Sequence, residues 1–360
     1  VRSSAASDVY KRQIINRVFK KAIAFLSVFA MTQGIAAGAE PALAAESERY
    51  IPPHAQLIIN YNDFGNIVGY HELMDSDNEV VAYCLDFENG YEIYDDYTVI
   101  EFSTENESPY IDSGDAYYGG PLSYYEKVGT EYVGIISNEE LNQNDFSEMS
   151  DTFAEKSIQV EQNYDLEVTE SDLMSRALVP DVNVKLPGRM RTYNWNTDNT
   201  CGSLAATIMM FYYYDYISTN YLKNIYVSNP YDLYEFFKPY IETTKDGKYA
   251  GADNNDMLAG LKDAYPQIRA SSTGVRKTVC LDENPSWGFA YNLIANEKVP
   301  LLLNIHKHPI YSWHWVVIQG VYRVNSENDS PVNFYIVNDG WGSNDIRINH
   351  CYTEGHVYFR

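Results

Sequence analysis

The chain has 360 residues, of which 45% are hydrophobic and 21% are charged, and its formal net charge is −24. This length allows a large core and favours two domains over one. Such an acidic chain is a poor partner for the phosphate backbone of nucleic acids, so we exclude nucleic-acid binding.

The charge divides the chain into three regions. Residues 1–45 carry a net charge of +4, residues 46–185 carry −26 and residues 186–360 carry −2. We therefore predict a leader over residues 1–45, an acidic domain with a linker over residues 46–185, and a separate C-terminal domain over residues 186–360.

The leader has the order of residues that is typical of a secretory signal peptide. Basic residues at Lys20 and Lys21 precede an apolar run over residues 22–37, and small residues follow that run. This order predicts export to the outside of the cell or to its surface. The run is short and interrupted by polar residues, so we expect no stable membrane insertion. Residues 1–13 do not resemble native sequence.

The cysteines predict neither a metal site nor a disulfide framework. They are far apart in the sequence and form no CxxC pair, which argues against a zinc site. A single bridge between Cys280 and Cys351 remains open, and Cys84 lies in an apolar run that is typical of a buried strand. No cofactor or metal is expected.

The acidic region is predicted to be rich in β-strands. Short runs of Val, Ile, Tyr and Phe alternate with Asp, Asn, Gly and Ser, which is the pattern of strands joined by turns. The predicted strands are residues 56–61, 80–87, 91–94, 97–102 and 132–136. The polar stretch over residues 138–181 is interpreted as a linker or a solvated helix.

The C-terminal region is predicted to begin with helices and to end with an antiparallel sheet, which is an α+β order. Apolar runs and a Pro at a first helical position indicate the helices. The predicted helices are residues 201–217, 231–238, 253–264 and 285–296. The predicted strands are residues 299–305, 314–324, 334–337 and 357–359.

Cys201 is the first candidate for chemistry because it begins an apolar helix after a polar loop. The positive end of the helix dipole favours a thiolate there, and the exposed amides of a helix start can hold an oxyanion. Gly202 is expected to let a substrate backbone come close. The competing interpretation is a buried structural cysteine.

A histidine at the start of a strand supplies a candidate base for this thiol. His314 opens the run HWVVIQGVY, while His306 and His308 lie in the preceding turn and rank below it. A later strand ends in Asn338 and Asp339, either of which can orient an imidazole. The order Cys, His, Asn or Asp predicts nucleophilic catalysis more strongly than any of the three residues alone.

The motifs DNTCGSLAATIMM, HWVVIQGVY and NFYIVNDGWG resemble those of papain-like cysteine peptidases, with streptopain and double-glycine peptidases as the closest likenesses. The resemblance implies a papain-like catalytic domain behind an inhibitory prodomain, and a protein or peptide substrate. It assigns Cys201 as nucleophile and His314 as base. The papain-type Asn-Ser-Trp-Gly pattern falls on residues 339–342, so Asp339 takes the orienting place and Asn338 is the alternative.

The sequence departs from that family at the oxyanion donor. Papain-like enzymes usually carry Gln six residues before the cysteine, and here that position is Trp195, with Asn194 and Asn196 beside it. We predict Asn196 as the donor; Asn194 and the indole N–H of Trp195 are alternatives. A weakened oxyanion hole would lower turnover by orders of magnitude.

Three functions follow from these residues. The first is a secreted cysteine endopeptidase, made as a zymogen whose acidic domain is released by a cut between residues 176 and 191. The second is a papain-fold protein that binds a partner without cleaving it. The third is a transglutaminase or amidase that uses the same three residues.

Overall fold

The structure of the protein is a computed structural model. The structure describes residues 50–167, 181–195, 199–284, 286–305, 314–325 and 331–360. Residues 51–360 form one compact unit. We call residues 51–167 the acidic segment and residues 181–360 the C-terminal segment. The predicted leader lies outside the described residues.

The acidic segment consists of a short helix, a series of strands and a long helix. Its helices are α1 (Pro53–Tyr61) and α2 (Gln143–Glu167). Its strands are β1 (Ile67–Met74), β2 (Val80–Phe87), β3 (Gly90–Tyr94), β4 (Val99–Ser103), β5 (Tyr117–Tyr118), β6 (Tyr124–Val128), β7 (Glu131–Gly134) and β8 (Glu140–Leu141). The β-branched and aromatic residues of these strands suit a buried sheet.

The C-terminal segment places most of its helices before most of its strands. Its helices are α3 (Cys201–Tyr212), α4 (Asn224–Ser228), α5 (Pro230–Ile241), α6 (Asn254–Ile268) and α7 (Trp287–Asn292). Its strands are β9 (Val182–Lys185), β10 (Thr243–Lys245), β11 (Lys248–Gly251), β12 (Val279–Asp282), β13 (Leu301–Asn304), β14 (Trp315–Val324), β15 (Val332–Asn338), β16 (Asn344–Asn349) and β17 (Gly355–Phe359). Pro230 opens α5 and Asp253 caps α6, as their residue types favour.

Both segments contribute to one large sheet, and the molecule is therefore a mixed α+β protein. Within the described residues, the strand order is β12-β17-β13-β14-β15-β16-β4-β3-β2-β1-β5-β6-β7-β8, with β9 paired to β14. Neighbours are antiparallel except for β1 and β5. A separate hairpin joins β10 to β11.

The two segments meet where β4 pairs with β16. Phe102 lies opposite Arg347 in this pairing, and its ring meets Phe334 edge-on at 5.1 Å. The Asn349 side-chain amide donates a 2.9 Å hydrogen bond to the main-chain oxygen of Val99. Charge composition predicted a boundary near residue 185, yet the sheet and its core run through the junction of the two segments.

The strand predicted over residues 80–87 is confirmed as β2, and the helix predicted from Cys201 is confirmed as α3. The strand predicted over residues 56–61 is wrong, because α1 covers that stretch. Ala55 and Ile58 are its buried residues, and their spacing of three is that of one helix face. Among the described helices, none has the length and apolar character needed to cross a membrane.

Candidate active site

Cys201 is the first residue of α3 and lies where this helix meets the start of β14. The helix is apolar around its whole circumference, and all of its residues are buried. The main-chain N–H of Trp315, the first residue of β14, donates a hydrogen bond to the Cys201 sulfur. His314, the predicted base, directly precedes Trp315 in the chain.

Hydrogen bonds and ring stacking hold the loop that leads into α3. The hydroxyl of Tyr234 donates a 2.8 Å hydrogen bond to the main-chain oxygen of Trp195. That hydroxyl also contacts the Thr200 hydroxyl, which must act as donor because Tyr234 has already used its single proton. The indole of Trp195 stacks on Tyr193 at 4.1 Å. The predicted oxyanion donor, Asn196, lies outside the described residues.

Burial raises the pKa of the Cys201 thiol to about 12, and the nearby Glu242 charge acts in the same direction. Main-chain N–H groups of Gly202 and Trp315 oppose this shift. Cys201 as a whole is only 6% exposed. The prediction that the helix start lowers this pKa is therefore wrong for this conformation, because loss of solvation outweighs the helix dipole.

His314 is held by contacts on its edge and on its face. Its Nε2 lies 3.1 Å from the main-chain oxygen of Asp339, and its ring stacks on the indole of Trp341 at 3.9 Å with 11° between the planes. A carbonyl oxygen only accepts, so Nε2 carries the proton in the neutral ring and Nδ1 carries the lone pair. This is the tautomer that accepts a proton at Nδ1.

The carboxyl group of Asp339 supports a turn, while its main-chain oxygen contacts the imidazole. Oδ1 accepts hydrogen bonds from the main-chain N–H groups of Trp341 at 2.8 Å and Ser343 at 2.9 Å. Gly340 and Gly342 have φ values of +76° and +110°, which side chains disfavour. Burial raises the pKa of Asp339 to about 6.

Asn338, the alternative orienting residue, is committed to other contacts. Its amide donates to the Asn344 side-chain oxygen at 2.8 Å and to the Arg191 main-chain oxygen at 3.2 Å. Its side-chain oxygen accepts from the N–H of Gly340 at 3.2 Å. Asn338 therefore ties the turn before β16 to the chain near Arg191, upstream of α3.

Gly202 faces protein. A Cβ at this position would lie 3.0 Å from Met257, 3.1 Å from Ile241 and 3.2 Å from Glu242. The expectation that Gly202 admits a substrate backbone is wrong in this structure, because its missing side chain leaves room for α5 and α6.

Sequence reasoning missed Glu242 and gave Trp341 no role. Trp341 was visible within the GWG motif, but nothing in the sequence indicated that its ring covers His314. Glu242 follows the end of α5, far from any motif. The packing of α5 against α3 brings Glu242 to the start of α3, and the sequence does not show this packing.

Other sequence predictions gain no support at this site. His306 and His308 lie outside the described residues. All four cysteines are described, and none of them forms a disulfide, so no bridge joins Cys280 to Cys351. Within the part of the chain that the structure describes, no group of His, Cys, Asp and Glu is arranged to hold a metal ion.

Buried carboxyl groups, Glu101 and Glu242 among them, make the stability of the protein dependent on pH. Burial raises the pKa of Glu101 to about 8 and that of Glu242 to about 7. Both groups bind a proton more tightly in the folded chain than in the unfolded chain. The free energy of unfolding therefore falls as pH rises towards their pKa values in the folded chain. In the pH range where a group is protonated in the folded chain and ionised in the unfolded chain, it lowers the free energy of unfolding by about 1.4 kcal/mol for each pH unit of increase.

We expect the melting temperature to fall as pH rises from 6.5 to 8. Buried His356 has its pKa lowered to about 3 and acts in the opposite direction, but its effect fades above its ordinary pKa of 6.5, at the start of this window. Thermal unfolding in buffers of equal ionic strength measures the trend. Glu101→Gln should flatten the curve, while Glu72→Gln on the same sheet serves as the control. A melting temperature that rises through this window would contradict the assignment.

Comparisons with known proteins place the chain in no established family. No protein-family description and no curated protein matches it. Two crystal structures of SERA5E from Plasmodium falciparum align with 47% and 49% of this chain and 88% and 89% of theirs, at 13% and 12% identity and TM-scores of 0.28 and 0.27. The SERA5 proenzyme from the same organism aligns with 49% of this chain and 61% of its own, at 13% identity and a TM-score of 0.23. These scores are too low to support an argument about function.

Proposed function

We propose that the chain is a papain-like cysteine peptidase, exported as a latent precursor and acting on proteins or peptides. The observation that carries this proposal is the meeting of α3 with β14. The Trp315 N–H contacts the Cys201 sulfur, and the adjacent His314 has its Nε2 held by a carbonyl oxygen. A thiol at a helix start, in contact with the residue that follows an oriented imidazole, supports a role in nucleophilic catalysis.

In the active form, Nδ1 of His314 takes the proton from the Cys201 thiol. The thiolate attacks the carbonyl carbon of the peptide, and the imidazolium gives its proton to the departing amine. Water then hydrolyses the thioester that remains on Cys201, with the imidazole as base. The main-chain N–H of Cys201 and the side chain of Asn196 are the proposed oxyanion donors.

Latency is supported by the way the acidic segment packs near the thiol. Tyr91, Leu122 and Tyr124 belong to the same apolar core as Cys201. The charge of Glu139, which lies between β7 and β8, adds to the rise in the pKa of the Cys201 thiol. A buried and protonated thiol is a poor nucleophile. The acidic segment therefore acts, in this proposal, as an inhibitor within the same chain.

A papain-fold binding protein without activity is the second candidate function. Two observations favour it: the 6% exposure of Cys201 and the presence of Trp195 where papain-like enzymes usually have Gln. A transglutaminase or an amidase would need the same nucleophile and base. A transglutaminase transfers the acyl group to an amine, and an amidase transfers it to water but acts on an amide that is not a peptide bond.

Labelling separates these functions. The full chain, under reducing conditions, is treated with an epoxide-type thiol inhibitor before and after limited proteolysis within residues 168–191, and is tested against casein. We expect label on Cys201 and casein cleavage after proteolysis. Cys201→Ala should abolish both, and Cys280→Ala is the matched control that should retain both. Labelling with acyl transfer to an amine but no cleavage would favour a transglutaminase; no labelling would favour the binding protein.

A further inference from the structure

A glutamate from a neighbouring helix caps the helix that begins with Cys201. Glu242 follows the end of α5, and its Oε1 accepts hydrogen bonds from the main-chain N–H of Ser203 at 2.7 Å and from the Ser203 hydroxyl at 2.8 Å. Ser203 is the third residue of α3, so its N–H has no partner within the helix. The carboxyl group thus occupies the positive end of the helix that carries the candidate nucleophile.

Close packing fixes this carboxyl group in place. Glu242 is only 6% exposed. A Cβ at Gly260 of α6 would lie 2.3 Å from the main-chain oxygen of Tyr240, so glycine is needed for α5 to approach α6 this closely. Oε2 of Glu242 is buried and makes no hydrogen bond within the described residues.

The surrounding charges leave the Glu242 carboxylate poorly compensated. Lys238, one turn earlier on α5, lowers its pKa, but the Lys238 ammonium is paired with Glu235 at 2.6 Å. Asp256, in the first turn of α6, acts in the opposite direction. Burial is the largest influence, and Glu242 therefore has a pKa of about 7. On α3 itself, Cys201 is the titratable group that responds to the Glu242 charge.

We propose that Glu242 is a positioning residue that holds the first turn of the Cys201 helix and whose negative charge opposes formation of the Cys201 thiolate. A helix start stabilises one negative charge, and two charges there compete for the same amide groups. The proposal rests on the proposed function in one respect, since it takes Cys201 as the reactive thiol. In this proposal, Glu242 lowers the reactivity of the Cys201 thiol, and this effect grows as Glu242 ionises with rising pH through neutrality.

The test measures the alkylation rate of Cys201 by iodoacetamide in the full chain from pH 5 to pH 10, with the modified peptide identified by mass spectrometry. Glu242→Gln keeps an oxygen that accepts from Ser203 and removes the charge. We expect its rising rate–pH curve to move to lower pH by about one unit, so that its rate at pH 8 rises about tenfold. Asp263→Asn, on the exposed face of α6, removes an equal charge elsewhere and should leave the curve unchanged.

Glu242→Asp separates charge from packing, because it keeps the charge while shortening the side chain. We expect its rate–pH curve to stay near that of the wild type, and this variant also preserves the test should Glu242→Gln fold poorly. Equal shifts in the Gln and Asp variants would reduce Glu242 to a packing role and overturn the proposal. Identical curves for Glu242→Gln and wild type, including no alkylation in either, would also overturn it.

Alkylation does not depend on hydrolysis, so this proposal and the proposed function can fail separately. A shifted rate–pH curve without casein cleavage would support the role of Glu242 and reject the peptidase. Casein cleavage with an unshifted rate–pH curve would support the peptidase and reject the role of Glu242.

Discussion

Residues 181–360 expressed alone will not fold, and the full chain cut between residues 168 and 180 will stay together as two associated fragments. The reason is the core on one face of the β4–β16 junction. Ala55, Ile58 and Phe102 of the acidic segment share this core with Phe334 and Ile336 of the C-terminal segment. Removing the acidic segment would expose Phe334 and Ile336 to water.

The free-energy cost of exposing this core is comparable to the whole stability of a domain, so the isolated C-terminal segment is expected to stay unfolded. The C-terminal side chains in this core are Tyr322, Val324, Val332, Phe334 and Ile336. Exposing a fully buried aliphatic or aromatic side chain costs about 1.5–3 kcal/mol, so five of them cost about 10 kcal/mol. The net stability of a whole domain is about 5–15 kcal/mol. The loss of β4 also leaves β16 as an open sheet edge, which favours aggregation.

Thermal unfolding and size-exclusion chromatography measure this expectation. A protease site is placed within residues 168–180 of the full chain, and the cut protein is compared with the uncut protein and with residues 181–360 alone. We expect both fragments to elute together with a cooperative transition, and the isolated C-terminal segment to aggregate or show no transition. A monomeric, cooperatively unfolding 181–360 fragment would contradict the shared core.

The shared core means that a cut in the chain would not by itself release the acidic segment. The zymogen prediction assumed that the acidic domain dissociates after a cut between residues 176 and 191. Several buried polar contacts also join the segments, including the Tyr352 hydroxyl, which donates to Asp95 at 3.0 Å. In the proposed peptidase, a cut would therefore have to loosen the cover near Cys201 without release of the whole acidic segment.

Local patterns predicted individual elements of this fold well where one physical cause dominates. The apolar run of α3 and the β-branched run of β2 need only their own residues to specify them. The sheet that joins the two segments was not predictable, because pairing of β4 with β16 depends on side chains more than 240 residues apart. Charge composition suggested a boundary near residue 185, but the net charge of a stretch of sequence does not show which side chains share a core.

The candidate site shows the same division between local and distant information. The sequence placed Cys201 at a helix start and His314 at a strand start, both from local pattern. It could not predict that Asp339 contacts His314 through its main chain, because backbone carbonyl positions depend on the turn. Nor could it predict the pKa of the thiol, which depends on burial and on Glu242 from another helix.

Replacing His314 will reduce peptidase turnover far more than replacing the carboxyl group of Asp339. His314→Ala removes the proton acceptor for Cys201, and general base catalysis contributes about 100- to 10,000-fold. Asp339→Asn keeps the main-chain oxygen that holds Nε2, and its side-chain oxygen can still accept from Trp341 and Ser343. We therefore expect a loss of less than about tenfold for Asp339→Asn.

Casein turnover in the activated protein, measured across pH 5 to 9, checks this ranking. Asp339→Ala should fall between the other two variants, because it removes the acceptor that holds the turn and so displaces the carbonyl oxygen beside His314. His350→Ala is the matched control, since it removes a histidine that lies in the turn before β17 and should retain full turnover. If Asp339→Asn loses as much turnover as His314→Ala, the carboxylate itself orients the imidazole in the active form, and the main-chain contact seen here belongs to the latent form.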